Sequence, residues 1–254
     1  LFLKFTDIEN VAYFYDINSK SNYKIDKNNT FYFSGYFGRD KFKLNNTFSN
    51  TYGNSTLNLR WNHIINEKIF SNTSLIFSDY YYGLTLNFVG FDWNSGIKNL
   101  NIKFDLKNYY SNKIQFNYGL NSIYYEFNPG LIKPINQSGI NFTKLERKFA
   151  LENAAYFDVV HKVSPKMSLR YGFRVNQFSR FKQEGLNRYL NDNSVTYDQD
   201  LGIYKEAKII GEYQNPNDSK TIKSFYNFEP RFNFSYNFNN QSLKASYNRL
   251  NQYI

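Results

Sequence analysis

Strict two-residue alternation of apolar and polar side chains is the feature that most constrains the fold of this chain. In residues 12–25, Tyr13 and Tyr15 alternate with Asp16 and Asn18, and the pattern holds over the whole stretch. Successive side chains of a β-strand point to opposite faces of a sheet, whereas a helix repeats every 3.6 residues. The pattern therefore predicts long strands that have one apolar and one polar face.

The same alternation recurs and predicts about ten long strands. They cover residues 12–25, 31–38, 54–65, 68–82, 98–108, 114–127, 147–160, 167–178, 223–238 and 241–252. Short and long connections alternate between them. The short ones are 26–29, 66–67, 109–113, 162–166 and 239–241, and the long ones are roughly 39–53, 83–97, 128–146 and 182–222. Outer-membrane barrels separate short periplasmic turns from long extracellular loops in this way. We therefore expect an all-β fold, an antiparallel transmembrane β-barrel segment, rather than a soluble β-sandwich with its shorter strands.

Composition narrows the classes further. Aromatic residues make up 20% of the 254 residues, which argues against disorder. No apolar run approaches the length of a transmembrane helix. The net charge is +10, but no basic run exceeds two residues, so we expect no nucleic-acid partner.

Catalysis and metal binding have little support. Cysteine is absent, and the two histidines, His63 and His161, lie just before the expected short turns, away from the expected extracellular loops. Asp198 and Asp200 fall in a polar loop without EF-hand spacing. We expect no enzyme activity, no metal site and no cofactor.

Charged residues on the predicted polar faces are candidates for a water-filled lumen. They are Asp16, Lys20, Arg60, Lys103, Asp105, Lys107, Arg170, Arg174, Glu229 and Arg231. An Arg or Lys on the lipid face would cost roughly 2–4 kcal/mol at the bilayer midplane, so solvation alone requires inward placement. Attraction of an anionic solute, or salt bridges to a domain inside the barrel, is the functional alternative.

The longest connection, 182–222, is the expected site of contact with a ligand. Loops this long are usually functional or disordered, and its aromatic content argues against disorder. Its ligand candidates are Arg188, Tyr189, Tyr197, Tyr204 and Tyr213, with Asp192, Asp198 and Asp200 among them. Within it, residues 205–214 are expected to form a short hairpin arm. A loop that only shields its neighbours is the equal alternative.

Three stretches carry a family resemblance. They are FYFSGYFGRDKF (31–42), STLNLRWNHIINEKIFSNTSLIFSDYYY (55–82) and FEPRFNFSYNFNNQSLKASYNRLNQYI (228–254). They resemble TonB-dependent outer-membrane receptors of Bacteroidota, of the type with a carboxypeptidase-regulatory-like domain ahead of the plug. The resemblance spans most of the chain, although 182–222 is not recognisable.

The resemblance implies a 22-stranded barrel, a plug domain inside it and uptake driven by the TonB complex. Residue 1 is Leu, and the last residues still alternate. We therefore expect residues 1–254 to be an internal part of one receptor barrel domain, without its plug, TonB-contacting segment or signal peptide. The expected location is the cell outer membrane, in contact with its lipid. The expected role is uptake of a metal chelate, glycan or peptide, and the alternative is a passive porin or an adhesin-type barrel.

Overall fold

The computed structural model describes residues 10–135, 138–181, 186–190, 193–213 and 221–253, except for the side chains of Leu186, Glu212 and Tyr213. Strands dominate this part of the chain. They are β1 (Val11–Lys24), β2 (Asn29–Leu44), β3 (Phe48–Asn66), β4 (Ile69–Leu86), β5 (Phe91–Asn108), β6 (Ile114–Pro134), β7 (Thr143–Lys144), β8 (Lys148–Lys162), β9 (Met167–Phe181), β10 (Leu186–Tyr189), β11 (Val195–Asp198), β12 (Ile203–Glu206), β13 (Ile209–Tyr213), β14 (Thr221–Phe238) and β15 (Gln241–Asn248). Within the described ranges, no helix is long and apolar enough to cross a membrane.

Ten long strands form one antiparallel sheet, which confirms the predicted fold class. Their order is β1-β2-β3-β4-β5-β6-β8-β9-β14-β15, and the short β7 pairs with β6 outside this path. Each long strand pairs with the previous and the next long strand of the chain, as expected when short turns join antiparallel neighbours. β1 and β15 pair with only one neighbour each among the described residues, so the sheet has two edges.

In place of two of the four expected long loops, the neighbouring strands continue until a tight turn joins them. β2 and β3 extend through 39–53 and are joined by residues 45–47, where Asn45 has φ of 48°. β4 and β5 extend through 83–97 and are joined by residues 87–90, where Gly90 has φ of 85°. The prediction was wrong there because the face that carries Phe37 and Phe77 in the middle of these strands carries polar side chains at their ends, such as Lys41 and Thr85. Backbone pairing does not depend on the apolar pattern that marks a membrane-embedded strand.

The sheet has its apolar side chains outside and its polar side chains inside. The buried apolar side chains of the described residues are Ala150, Ala154, Val159 and Ala207. Large apolar side chains such as Leu57 (50% exposed) and Ile102 (53%) instead lie on the surface. Residues paired directly across antiparallel strands share a face, and the register places Leu57, Phe77 and Leu100 together. A surface of this kind requires an apolar medium such as lipid.

Curvature gives the sheet an inner side. One cleft is lined by residues of six consecutive strands, from Tyr80 of β4 to Phe225 of β14. Neighbouring strands lie about 4.8 Å apart, so such a cleft requires the sheet to bend around it. The residues that line it belong mainly to the polar side of the sheet, which is therefore the concave side.

Two long connections remain, 135–147 and 182–220. The second carries a projecting arm, in which β10 pairs with β13 and β11 pairs with β12. The predicted hairpin within 205–214 was wrong, because β12 and β13 each pair with an earlier strand rather than with each other. The reversal lies at 199–202 instead, where Gly202 has φ of 65° and Asp198 Oδ1 accepts hydrogen bonds from the backbone of Asp200 and Leu201.

Candidate functional site

The concave side of the sheet carries all ten charged residues named from the sequence, and we call it the charged face. The register links them from strand to strand. Arg60 pairs with Ser74, which pairs with Lys103, and the same row continues through Asn121 to Ala154. On the other strands, Asp16, Lys20, Asp105, Lys107, Arg170, Arg174, Glu229 and Arg231 occupy the same face.

A tyrosine reaches across one strand to join two parts of the charged face. The hydroxyl of Tyr156 in β8 donates a hydrogen bond of 2.5 Å to Asp105 Oδ1 in β5, and Lys103 Nζ lies 3.0 Å from Asp105 Oδ2. Gly119 of β6 lies between them. A Cβ at Gly119 would lie 2.4 Å from the Phe104 carbonyl oxygen and 2.7 Å from the Tyr156 ring. The missing side chain therefore makes room for the tyrosine.

A second cluster surrounds Asp158. Arg170 donates to both of its carboxylate oxygens, from Nε at 2.8 Å and from a terminal nitrogen at 3.1 Å. The Asn117 amide donates a further hydrogen bond of 2.9 Å to Oδ1. This bidentate, charge-assisted arrangement fixes the guanidinium more firmly than a single contact would.

The third cluster centres on Glu229, which is 3% exposed. Its Oε2 lies 3.4 Å from a terminal nitrogen of Arg231 and 4.0 Å from Nε of Arg174. Its Oε1 accepts from the Asn176 amide at 2.9 Å and from the Asn251 backbone N–H at 3.0 Å. Arg174 also lies 3.3 Å from Glu152. The two arginines are thus neutralised largely by carboxylates of the sheet itself.

Four of the ten residues remain outside these clusters. The guanidinium of Arg60 lies 4.5 Å from the centre of the Tyr32 ring, a cation–π contact. Lys20 lines a small cleft together with Arg60. Asp16 lines another cleft near the opposite strand ends. Lys107 makes no ion pair with a described residue.

The partners that organise these charges were not predicted from the sequence. Glu152, Tyr156 and Asp158 lie at alternate positions of one predicted strand and therefore share one face. That spacing was sufficient to place them beside the predicted lumen residues. The sequence carried no signal for which arginine each carboxylate would meet.

The arm holds the loop candidates apart from the charged face. The rings of Tyr197 and Tyr204 contact each other across the β11–β12 hairpin, with centroids 5.0 Å apart. The Tyr189 hydroxyl donates a hydrogen bond of 2.9 Å to Glu206. Arg188 lies in β10, one of the two outer strands of the arm, and its side chain is exposed. Among the described residues, no hydrogen bond or ion pair joins the arm to the charged face. Asp192 and the side chain of Tyr213 lie outside the described part of the chain.

One of the two histidines makes structural contacts. His63 Nδ1 lies 2.8 Å from Asn29 Oδ1, and its ring packs against Trp61. Within the described ranges, no group of three or more His, Cys, Asp or Glu side chains could hold a metal ion.

Searches against family models and against curated proteins find no match. Solved structures do match. They include the copper transporter OprC (9% identity, TM-score 0.67), which matches 94% of this chain. The FrpB iron transporter of Neisseria meningitidis in its F3-3 variant (13%, 0.60) matches 92%, and the ferric-catecholate import receptor Fiu of E. coli K12 in its open form (9%, 0.58) matches 95%.

The chain spans 37% of the OprC and FrpB structures and 47% of the Fiu structure. At these identities the likeness concerns the fold alone. The chain thus has the fold of a transmembrane β-barrel segment, built from consecutive antiparallel strands.

Proposed function

We propose that this chain forms part of the barrel wall of a TonB-dependent receptor in the cell outer membrane. The barrel takes up a substrate such as a metal chelate, a glycan or a peptide and performs no chemistry of its own. The apolar face meets outer-membrane lipid, and the charged face lines the lumen. The Bacteroidota type of receptor remains an expectation that rests on the sequence resemblance.

The inside-out distribution of side chains carries this proposal. Buried carboxylates such as Asp158 and Glu229 lie on the concave side, while leucine and phenylalanine cover the convex side. Hydrocarbon cannot hydrogen-bond exposed backbone groups, so strands in lipid must pair on both sides. Among the described residues β1 and β15 each lack a partner on one side, which supports a barrel wider than these ten strands.

A wide barrel also needs a plug, and the plug provides the route by which the TonB complex couples energy to uptake. Barrels of about 22 strands enclose a lumen large enough to need a plug. We propose that a plug domain elsewhere in the same polypeptide fills the lumen and that the TonB complex acts through it. Lys20 and Lys107 make no ion pair with a described residue, so we propose that they meet the plug or an anionic solute.

The arm between β9 and β14 extends this proposal to ligand capture. It belongs to the longest connection and displays Tyr197 and Tyr204 on one face. Tyrosine offers a large contact area and a hydroxyl for hydrogen bonding. We propose that the arm is extracellular and helps to capture or cover the ligand.

Uptake measurements distinguish the receptor from its alternatives. The full-length polypeptide that carries this chain is produced in matched strains with and without TonB. Both strains receive a panel of labelled ferric chelates, copper, oligosaccharides and peptides. A receptor takes up at least one panel member only when TonB is present. A porin admits small solutes in both strains, and an adhesin-type barrel admits none, so either result would contradict the proposal.

A further inference from the structure

Three cations follow one another on the apolar side of β2, directly beyond its last phenylalanine. The register keeps four positions in line on the side of the sheet that carries Leu57: Phe37, Arg39, Lys41 and Lys43. Phe37 is 44% exposed, and Arg39 is exposed as well. We call Arg39, Lys41 and Lys43 the basic row. It lies at the end of the sheet that carries the two long connections.

The basic row borders a cluster of aromatic rings. Tyr15 is the cross-strand partner of Arg39, and Tyr13 is the partner of Lys41. The rings of Tyr13 and Tyr15 stack with centroids 6.2 Å apart, and the ring centroids of Tyr15 and Phe37 are 6.0 Å apart. Aromatic side chains collect where the hydrocarbon of a bilayer gives way to water. The basic row therefore lies at the depth of the lipid headgroups.

A glycine opens a recess on the other side of the basic row. Gly53 pairs with Arg39, and a Cβ at Gly53 would lie 2.8 Å from the Tyr81 ring. The Arg39 guanidinium reaches over Gly53 and lies 5.7 Å from the centre of that ring, a cation–π contact. Thr51, the partner of Lys41, adds a hydroxyl to the same face. Two cations and a hydroxyl thus surround the recess, and phosphate oxygens accept hydrogen bonds from all three groups.

The first two cations of the basic row have only uncharged neighbours on the strands beside them. The residues that share their face, within 11–17 of β1 and 49–55 of β3, are all described, and none of them is Asp or Glu. Asp79 of β4 carries a carboxylate on the same side, but Lys98 Nζ lies 3.4 Å from it. Cations at the headgroup level of a bilayer attract anionic lipids.

We propose that Arg39, Lys41 and Thr51 bind the phosphate of an anionic lipid in the outer leaflet. Arginine presents paired N–H donors to the phosphate, and lysine adds a compact charge. The acyl chains of the lipid lie along the aromatic cluster. This inference rests on the proposed function, because it takes the apolar face as the lipid side and the end with the long connections as extracellular. It goes beyond general lipid contact, because it assigns a site and a headgroup chemistry.

Three lipids with the same didecanoyl chains serve as probes: phosphatidic acid, phosphatidylcholine and diacylglycerol. Their dissociation constants for the full-length protein in a neutral detergent are measured by native mass spectrometry. We expect phosphatidic acid to bind about tenfold more tightly than phosphatidylcholine, because each cation near an anionic headgroup contributes roughly fivefold or less. Diacylglycerol, which has no phosphate, is expected to bind least.

Substitutions then locate the site. Arg39→Gln and Lys41→Gln should each weaken the binding of phosphatidic acid about fivefold and leave diacylglycerol unchanged. Thr51→Val keeps the shape of the side chain without its hydroxyl and should weaken phosphatidic acid about threefold. Lys98→Gln is the matched control. It removes the same charge from the same side of the sheet, but from a lysine that already lies beside Asp79, and it should change little.

Equal affinities for phosphatidic acid and phosphatidylcholine would overturn the inference, and so would an equal loss in the Lys98→Gln variant. Displacement of phosphatidic acid by an excess of inorganic phosphate would contradict a lipid site, because the acyl chains would then contribute nothing.

Failure of this inference is distinct from failure of the proposed function. Uptake that depends on TonB, in a protein that does not prefer phosphatidic acid, would overturn the lipid site alone. A preference for phosphatidic acid that is lost in Arg39→Gln, in a barrel that admits solutes without TonB, would overturn the receptor assignment alone.

Discussion

Removal of the Glu229 side chain should destabilise the barrel more than removal of any exposed carboxylate. Its carboxylate has two hydrogen-bond donors, Asn176 and the backbone of Asn251, and two guanidinium neighbours, Arg174 and Arg231. Glu229→Ala deletes all four contacts at once. It also leaves two cations beside one another in a buried region.

The magnitude follows from the burial of each partner. Breaking a buried ion pair costs about 3–5 kcal/mol when the remaining charge is uncompensated. Arg231 is 39% exposed and therefore partly solvated, and Arg174 keeps Glu152. We therefore expect Glu229→Ala to lower the free energy of unfolding by about 2–3 kcal/mol, less than the full cost of breaking a buried ion pair. Glu229→Gln keeps an acceptor for both donors and should lose about 1–2 kcal/mol.

Glu126→Ala is the matched control, because its partner Arg147 is 57% exposed. Exposed pairs contribute roughly 0–1 kcal/mol. The free energy of unfolding is measured on full-length protein refolded into lipid vesicles, by urea titration followed with tryptophan fluorescence. Equal losses for Glu229→Ala and Glu126→Ala would refute the reasoning that the concave side is a buried polar interior.

Further predictions concern the lipid face, closure and the arm. Leu59→Arg should lower the free energy of unfolding in lipid by about 2–4 kcal/mol, whereas Asn58→Arg on the opposite face should have little effect; similar losses would argue against a lipid-facing Leu59. The chain on its own should give no discrete single-channel conductance, because its two edges are open; reproducible unitary currents would instead indicate a small closed barrel. Shortening 186–220 in the full-length protein should lower ligand affinity, and unchanged affinity with normal assembly would leave only a shielding role. The pKa of Asp198 lies below its ordinary value of 3.8 because Lys205 and backbone N–H groups hydrogen-bond to the carboxylate. The ion pair should therefore persist above that value and be lost as the pH falls through the lowered pKa; NMR titration of the carboxyl carbon at or above the ordinary value would contradict this.

The strands and their faces were predictable because the period of the side-chain pattern is itself a property of the strand. In β9, Leu169 and Tyr171 alternate with Arg170 and Gly172, and the observed register keeps each set on one face. Where the strands extend beyond the apolar band, the positions on the lipid side become polar, as at Lys41 and Thr85, and the extensions were mistaken for loops.

The partners of the charged residues could not be predicted. They depend on which residues lie opposite one another, and turn lengths and bulges set this register. One such irregularity lies between Asn94 and Gly96 in the pairing of β5 with β6. Contacts that cross a strand, such as Tyr156 with Asp105, depend in addition on a glycine in the intervening strand.

If this sheet separates lipid from an aqueous lumen, single cysteines along one strand should react alternately with a water-soluble reagent. Residues 1–254 contain no cysteine, and any cysteine elsewhere in the polypeptide is first replaced by serine, so each substitution introduces a single reactive thiol. Cysteines are placed one at a time at residues 57–62 of β3 in the full-length protein and exposed to a charged, water-soluble thiol reagent in intact outer membranes. We expect labelling with a period of two, at Asn58, Arg60 and Asn62 but not at Leu57, Leu59 or Trp61. Uniform labelling, or labelling of the leucine set instead, would contradict it.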